Sequence, residues 1–174
     1  NAGLKYTYAR WTAYGGDYVY STTSGSPRDD VGSWPEDERS ITYQQSFPAI
    51  IAGVDTSFER GGWTFDVSAH AGMTFLASDV DNHWRSTLYG PEGVRYEERF
   101  LSAPLVSLAG KATFAVSDNV NVFVGGSWEQ IFTGRGDTDI FTEHDDAQLG
   151  STLVDMAGAN LGSVSITAGL TGTF

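Results

Sequence analysis

Two carboxylates and a histidine stand at alternate positions in the stretch Asp79-Val80-Asp81-Asn82-His83. In an extended backbone, positions two apart share a face and lie about 7 Å apart, so these three side chains would line one face. Asp81 could then reach the imidazole of His83, fix its tautomer and stabilise the imidazolium, which leaves the histidine to take a proton from water. A carboxylate beside a histidine also occurs for purely structural reasons. From the spacing alone an ordinary structural pair is the favoured interpretation, and a general base is the alternative.

The other two histidines have simpler interpretations. His70 falls on the polar face of a predicted strand, where we expect it to satisfy a hydrogen bond in the interior. His144 lies in the acidic stretch 143–146, where a loop charge is favoured over a metal site because the spacing carries little ligand geometry. We therefore expect no metal and no catalytic cofactor. The sequence also has no Gly-x-Ser-x-Gly elbow, no Walker loop, no His-Glu-x-x-His pair and no cysteine nucleophile.

The composition excludes several classes of protein. The chain has 174 residues, a formal net charge of -12 and no cysteine, which rules out a disulfide scaffold and a cysteine-based zinc site. The negative charge argues against binding of nucleic acid through the phosphate backbone, which needs an excess of Lys and Arg. No apolar run is long enough for a transmembrane helix. The acids cluster between predicted strands, where they form a solvated rim, steer cationic substrates inward, or do both.

Apolar and polar residues alternate along most of the chain, which is the pattern of strands with one apolar face. One parity from Trp63 to Ala77 is apolar throughout, and the intervening residues are mostly Ser, Thr, Gly, Asp and His. The pattern predicts six long strands, at about Leu4–Tyr20, Ile41–Phe58, Trp63–Ala77, Phe100–Val116, Val120–Trp128 and Met156–Phe174. No segment has a convincing helical period.

The connections between these strands alternate in length. Ser57–Gly62 and Ser117–Asn119 are predicted short turns, whereas Thr22–Asp37, Asp79–Glu97 and Gly134–Leu153 are predicted long, acidic loops. Long strands, short turns opposite long loops, and small polar residues opposite bulky apolar ones are typical of an outer-membrane antiparallel β-barrel. The aromatic residues expected in its girdle are Trp63, Trp128, Phe75 and Phe132. A soluble barrel with its apolar face turned inward is the alternative.

Six strands are fewer than a membrane barrel needs, because an open edge in lipid leaves backbone groups unpaired. We expect either that upstream strands of the same polypeptide are missing from this chain or that several chains share one barrel, and we favour missing N-terminal strands. The direction of the candidate catalytic side chains raises a second difficulty. Asp79, Asp81 and His83 continue the parity of the lipid face, so the strand must bulge or twist near Ala77–Asp79 if these side chains are to point inward.

The sequence resembles the C-terminal part of the omptins, the outer-membrane proteases of Gram-negative bacteria. The likeness runs essentially from Ala2 to Phe174. It is carried by Thr12-Ala13, Gly15-Gly16 and Tyr18-Val19-Tyr20-Ser21, by Arg28-Asp29-Asp30-Val31-Gly32-Ser33 with Pro35 and Glu38-Arg39, by Ser78-Asp79 with Asp81 and His83, and by Thr167-Ala168-Gly169-Leu170 with Thr173-Phe174.

The resemblance implies a ten-stranded barrel in the outer membrane, with an extracellular groove as its active site and with this chain supplying the last six strands. It implies an endopeptidase that cleaves next to Arg or Lys and holds a water between a His–Asp couple and an opposing Asp pair. The couple maps onto His83 and Asp81 as catalytic residues. Asp79 matches an acid that helps to receive the basic P1 side chain, and is therefore a substrate-binding candidate. The opposing Asp pair and a second specificity acid belong to N-terminal strands and have no counterpart here.

From the pattern and the resemblance together we expect a single barrel domain over residues 1–174, inactive on its own. The expected partners are basic peptide or protein substrates, outer-membrane lipid and the N-terminal strands of the same barrel, and no nucleic acid. The resemblance also implies lipopolysaccharide as an activator, although Tyr8 and Ser46 stand where omptins carry basic residues. A non-catalytic outer-membrane barrel, acting as an adhesin or a structural wall, is the alternative function.

Overall fold

The computed structural model describes residues 1–21, 25–86 and 93–172. Within these ranges the chain contains strands and no helix. The strands are β1 Ala2–Tyr20, β2 Asp30–Arg60, β3 Trp63–Thr74, β4 Ala77–His83, β5 Val94–Phe100, β6 Pro104–Ser117, β7 Val120–Thr142 and β8 Leu153–Gly172. The terminal residues 173–174 of the omptin pattern lie outside the described ranges.

All strands belong to one antiparallel sheet. Strand β1 pairs with β2, β2 pairs with both β3 and β4, β7 pairs with both β5 and β6, and β8 pairs with β7. Strands β3 and β4 therefore follow one another along β2, and β5 and β6 follow one another along β7. The prediction of six strands was wrong in number, because two of the six long strands are each broken in two. The order of the long strands is the one expected for a meander of hairpins.

The strands also extend farther than the sequence predicted. Strand β2 begins at Asp30, β4 runs to His83, and β7 runs to Thr142, inside three segments that were predicted to be loops. Period-two hydropathy appears only where one face of a strand is apolar. Beyond the apolar band both faces of these strands carry polar residues, so the alternation ends although the hydrogen-bonded ladder continues.

The outer face of the sheet is apolar over the half that lies nearer the short turns. Trp63 and Ile166, which the alternation assigned to lipid, are 40% and 81% exposed rather than buried in a dry centre. The predicted girdle residues share this exposure, with Phe75, Trp128 and Phe132 also on the surface. Gly61 and Gly62 both have positive φ in the turn between β2 and β3, which suits a two-residue hairpin turn. No helix among the described residues has the length and apolar character needed to cross a membrane.

Three neighbouring strands bend at one level, which we call the collar: Phe75–Leu76, Leu101–Ser102 and Phe132–Thr133. At each of these places two consecutive residues are exposed, most strongly Leu76 at 82% and Leu101 at 87%. Leu76 has a φ of 50°, and the pairing of the strand with β2 shifts by one residue across it, from Ala49 with Thr74 to Ser46 with Ser78. This is a β-bulge, and it reverses which parity of the strand faces inward.

Beyond the collar the outer face is charged. Arg99 pairs with Asp137 there, next to Ser78 on β4. Such a surface belongs in water rather than in hydrocarbon, where an arginine or an aspartate is costly. The lipid-facing part of the sheet therefore ends at the collar, and the part with the strands β4 and β5 stands above the membrane.

Inside the curve of the sheet, a small apolar layer lies at the level of the collar. It consists of Phe47, Ala49, Ala77, Phe100, Ala103, Leu105, Ile131, Ala157 and Ala159, each at most 4% exposed. Below it the inner face is polar, and Lys5 on β1 contacts Glu129 on β7 although these two strands are not neighbours in the sheet. The sheet is thus strongly curled, and the apolar layer forms a floor beneath the inner surface of β4 and β5.

Candidate functional site

The collar places the predicted catalytic residues on the inner face. Three rows of cross-strand partners lie above the apolar floor: Gln45, Asp79, Glu98 and Thr138 in the first row, Tyr43, Asp81, Tyr96 and Ile140 in the second, and Ile41, His83, Val94 and Thr142 in the third. Residues paired across an antiparallel sheet point to the same side. Because strand β2 has no break between Ile41 and Ile51, these rows share the inner side with Phe47 and Ala49 of the floor. The bulge that the sequence required is present, two residues earlier than Ala77–Asp79.

His83 and Asp81 form a hydrogen-bonded couple, with 3.0 Å between Nε2 of the imidazole and Oδ2 of the carboxylate. Their side chains are 25% and 27% exposed, so the couple is reachable by water. The ring of Tyr96 stands edge-on to the imidazole, with 5.4 Å between ring centroids. When Nε2–H donates to Asp81, the lone pair of the imidazole is on Nδ1, and this nitrogen can accept a proton. The arrangement is that of a general base held by a carboxylate.

Asp79 lies one row below, directly on the apolar floor, and is 2% exposed. The hydroxyl of Tyr43 donates to Oδ2 of Asp79 at 2.5 Å, and the amide of Gln45 donates to the oxygen of Tyr43 at 3.1 Å. Oδ1 of Asp79 is buried and has no hydrogen-bond partner among the described residues. An unpaired buried carboxylate oxygen is costly, so this atom needs a proton donor, which a protonated carboxyl group or a bound cation would provide.

Glu98 faces Asp79 across the sheet in the same row. The hydroxyl of Thr138 donates to Oε1 of Glu98 at 3.1 Å. Burial, and then the charge of Asp79, raise the pKa of Glu98 to about 7. Burial also raises the pKa of Asp79, an effect that the hydrogen bond from Tyr43 opposes. Two carboxyl groups on an apolar floor cannot both ionise freely, so the pair holds a proton to about neutral pH.

Sequence reasoning placed Asp79, Asp81 and His83 together, and the structure brings all three to one surface. It missed Tyr43 and Glu98, which come from the neighbouring strands β2 and β5. The signal for Glu98 was present in part, since Glu97-Glu98 is an acidic pair, but it was assigned to a loop. The register of β4 against β5 was needed to show which of these two acids faces Asp79.

Aromatic residues stand beside this surface. The ring of Tyr18 is tilted against that of Trp34 with 4.5 Å between ring centroids, and the centroid of the Tyr20 ring lies 6.3 Å from that of Trp34. Burial, and after it the charge of Asp81, raise the pKa of the Tyr20 phenol, so the end of β1 reaches toward the couple. The guanidinium of Arg39 lies 3.6 Å from the ring of Trp84, and Nε1 of Trp84 donates to Thr42 on the side of the sheet opposite to Tyr43 and Asp81. This pair therefore lies outside the groove.

The remaining histidines lie outside this surface. His70 is on the inner face below the floor, 3.4 Å from Asp55 and 3.2 Å from the side-chain amide of Asn1. This confirms the predicted interior hydrogen bond. His144 lies beside Asp145 in the turn that follows β7. No group of three His, Asp or Glu side chains in the described ranges has the geometry to hold a metal ion.

Both the sequence and the fold of this chain are similar to those of known proteins. The family model described as "Omptin family" matches residues 1–174. "Protease 7" of Escherichia coli O157:H7 is 33% identical over 179 residues, covering 99% of this chain and 52% of the relative. "Outer membrane protease IcsP" of Shigella flexneri is 25% identical over 142 residues, covering 82% and 43%. The crystal structure of outer membrane protease OmpT from Escherichia coli superposes with a TM-score of 0.73 and 28% identity, covering 99% of this chain and 56% of that one. The chain thus spans about half the length of the relatives it matches.

Proposed function

Because the chain belongs to the omptin family, an outer-membrane family of β-barrel fold, we propose that the protein carrying it is an endopeptidase that cleaves peptides next to arginine or lysine. One observation supports this above the others. A histidine and an aspartate two positions apart are held within 3.0 Å of each other, above the lipid-facing band and on the concave side of the sheet. A barrel that served only as an adhesin or a wall would have no need of this ordered, partly exposed couple.

The couple would act on water. Nδ1 of His83 takes a proton from a water molecule while the water oxygen attacks the carbonyl carbon of the scissile bond. The carboxylate of Asp81 holds the ring orientation and stabilises the imidazolium that forms. When the tetrahedral intermediate collapses, the imidazolium returns its proton to the leaving amine and the peptide C–N bond breaks. Each step conserves protons within the couple and the substrate.

Holding the attacking water in position needs groups on the opposite side of the groove as well. The resemblance to omptins implies that an Asp pair on N-terminal strands helps to hold the water from that side. This chain supplies one wall of the site, and the proposed activity therefore belongs to the whole barrel. The N-terminal strands are in this sense a partner of the chain.

The preference for basic residues follows from charge. Asp79 presents a buried carboxylate with an unsatisfied oxygen, and a charge-assisted hydrogen bond in such a place is stronger than one in water. The formal charge of -12 adds a long-range attraction for cationic peptides. Basic peptides and proteins are accordingly the proposed substrates, and they would approach from the extracellular side.

Lipopolysaccharide, the activator that the resemblance implied, is not matched by the residues at the expected positions. The hydroxyl of Tyr8 donates to Gln44 at 2.9 Å, and the hydroxyl of Ser46 donates to Tyr6 at 3.0 Å. Both positions offer neutral groups already engaged with neighbours, whereas a lipid phosphate is best held by Arg or Lys. They do not fit lipid phosphate, and no step of the proposed reaction is assigned to it.

The proposal is tested by mapping cleavage sites. The whole protein, refolded in detergent, is incubated with a mixed peptide library and the products are identified by mass spectrometry. We expect cuts next to Arg or Lys and very few elsewhere. Cleavage without any basic preference, or no cleavage by a protein shown to be folded, would refute the proposed function.

A further inference from the structure

Glu98 has no part in the reaction described above, yet it occupies the inner surface of the site. It is half-buried and lies in register with Asp79, on the floor formed by Ala77 and Phe100. Its neighbour Glu97 points to the opposite, outer face and is paired with Arg95 at 2.9 Å. The two adjacent glutamates therefore have different surroundings, and only Glu98 is aimed at the groove.

No lysine or arginine faces Glu98 among the described residues. The titratable groups that face it are Asp79 and Asp81 from β4, Tyr43 from β2, Tyr96 from its own strand and His83 two rows above. The neutral hydroxyl of Thr138 faces it from β7. The three rows of inner residues include no lysine or arginine. The arginines of β5, Arg95 and Arg99, are on the outer face and paired with acids there.

The second observation is the unsatisfied oxygen. Asp79 is only 2% exposed, and its Oδ1 atom has no hydrogen-bond partner among the described residues. A carboxylate that is buried with one oxygen unpaired, opposite a second carboxyl group, is stable only if a proton or an external cation compensates the charge. The described residues supply no positive group here, and a cationic ligand could supply one.

We propose that Glu98 and Asp79 together bind the cationic end of a basic side chain, that they share a proton when the site is empty, and that this proton leaves when the cation enters. Glu98 is then a specificity-determining residue, and the guanidinium of arginine, which can donate to two carboxylates at once, is the chemical group that fits best. The inference rests on the proposed function in that it identifies the acidic pair with the P1 site of the peptidase.

The consequence is a selectivity that depends on pH. At low pH the pair is protonated, and a cation must displace the proton before it can bind. Above neutral pH the pair has already lost this proton, so binding of the cation no longer requires deprotonation. Burial raises the pKa of Glu98 to about 7, which places this change within the working range of most extracellular proteins.

The experiment measures binding, not turnover. Two peptides with a reduced, uncleavable bond carry arginine or its neutral isostere citrulline at the position before that bond. Their dissociation constants for the whole protein are measured in detergent at pH 5.5 and pH 8. We expect arginine to bind at least about tenfold more tightly than citrulline at pH 8, as charge-assisted hydrogen bonds require, and this advantage to shrink severalfold at pH 5.5.

The matched variants are Glu98→Gln and Glu97→Gln, which make the same change at adjacent positions on opposite faces. Glu98→Gln should lose most of the arginine advantage at pH 8 and most of its dependence on pH, while Glu97→Gln should behave like the unmodified protein. An unchanged advantage and pH dependence in Glu98→Gln would overturn the inference, as would equal binding of the two peptides by the unmodified protein. Tight, pH-dependent binding of arginine by a protein that cleaves no peptide would instead refute the proposed function and leave this inference standing.

Discussion

Thr74 and Ala77 both face the inner side of the sheet, although they are three residues apart and a regular strand would place them on opposite sides. The same spacing separates Phe100 from Ala103 on the neighbouring strand. Phe75 and Leu76 are both turned outward between Thr74 and Ala77, and the backbone amide of Phe75 donates to the carbonyl of Pro48 at 2.9 Å. Because this bulge shifts the alternation by one residue, the catalytic candidates face the groove although their parity in the sequence is that of the outer face.

Deleting Leu76 tests this directly. The deletion removes the extra residue and restores regular alternation across the bend, so Asp81 and His83 should still face inward. Deleting Val80 instead shifts Asp81 and His83 by one position and should turn them outward. We expect the refolded whole protein to keep peptidase activity after the first deletion and to lose it to background after the second, measured with a fluorogenic dibasic peptide. Full activity after deletion of Val80, or none after deletion of Leu76, would contradict the role given to the bulge.

Replacing His83 by alanine removes the proposed general base. We expect kcat/KM for a dibasic peptide to fall by about 10²–10⁴-fold, the usual contribution of general base catalysis. His70→Ala is the matched control, because His70 also contacts an aspartate on the inner face but lies below the apolar floor. Heat-modified migration on gels would show that both variants are folded. Similar losses in the two variants would argue for a structural effect on the barrel.

Tyr43→Phe removes the donor to Oδ2 of Asp79 while leaving the ring in place. Because that hydrogen bond favours the ionised carboxylate, its loss should raise the pKa of Asp79 further. Cleavage of arginine peptides should then fall about tenfold more at pH 6 than at pH 8, in keeping with a hydrogen bond to a charged group. Tyr8→Phe, which loses a hydrogen bond to Gln44 on the outer face, should leave the pH profile unchanged. A uniform loss at both pH values would indicate damage to packing instead.

The stability of the ligand-free protein should decrease as pH rises from about 4.5 to about 7. The pKa of Glu98 is near 7 in the folded chain and near 4.5 in the unfolded chain, so the folded state holds the proton longer across this interval. The free energy of unfolding therefore falls with increasing pH through that window and stays low above it. Urea unfolding in detergent, followed by tryptophan fluorescence at pH 5 and pH 8, measures the change. Glu98→Gln should flatten the slope, and Glu97→Gln should not.

The 174-residue chain on its own should have no peptidase activity. It supplies the His83–Asp81 couple but not the acids that the omptin resemblance places on N-terminal strands. Refolding the isolated chain and assaying it beside the whole protein makes the comparison. Turnover by the isolated chain at a rate near that of the whole protein would show that one wall is sufficient.

Much of the lipid-facing half could be predicted from the sequence because burial in hydrocarbon imposes a strict period. Trp63 and Ile166 alternate with small polar residues, and the structure places both on the outer face. Above the collar the prediction weakened, since both faces of a strand meet water there and no period remains. The strand ends at His83 and Thr142 were therefore missed.

The candidate site divides in the same way. Asp81 and His83 could be paired from sequence because two positions on one strand share a face whatever the rest of the fold does. Tyr43 lies 36 residues from Asp79 and Glu98 lies on the next strand, so their contacts depend on registers that no local pattern encodes. The parity of Asp81 and His83 predicted that a bulge must be present. Its position between Thr74 and Ala77 could not be predicted, because it depends on how three strands bend together.

The collar also separates two parts of the chain whose residues are under different evolutionary constraints. Residues below it must suit hydrocarbon on one side and a packed, polar interior on the other, which leaves little freedom to change. Residues above it meet water on the outside and, in the proposed function, peptide on the inside, and the bends isolate their register from the anchored half. New cleavage preferences can therefore evolve through substitutions near Glu98 and Tyr43 without disturbing the part of the molecule that holds it in the bilayer.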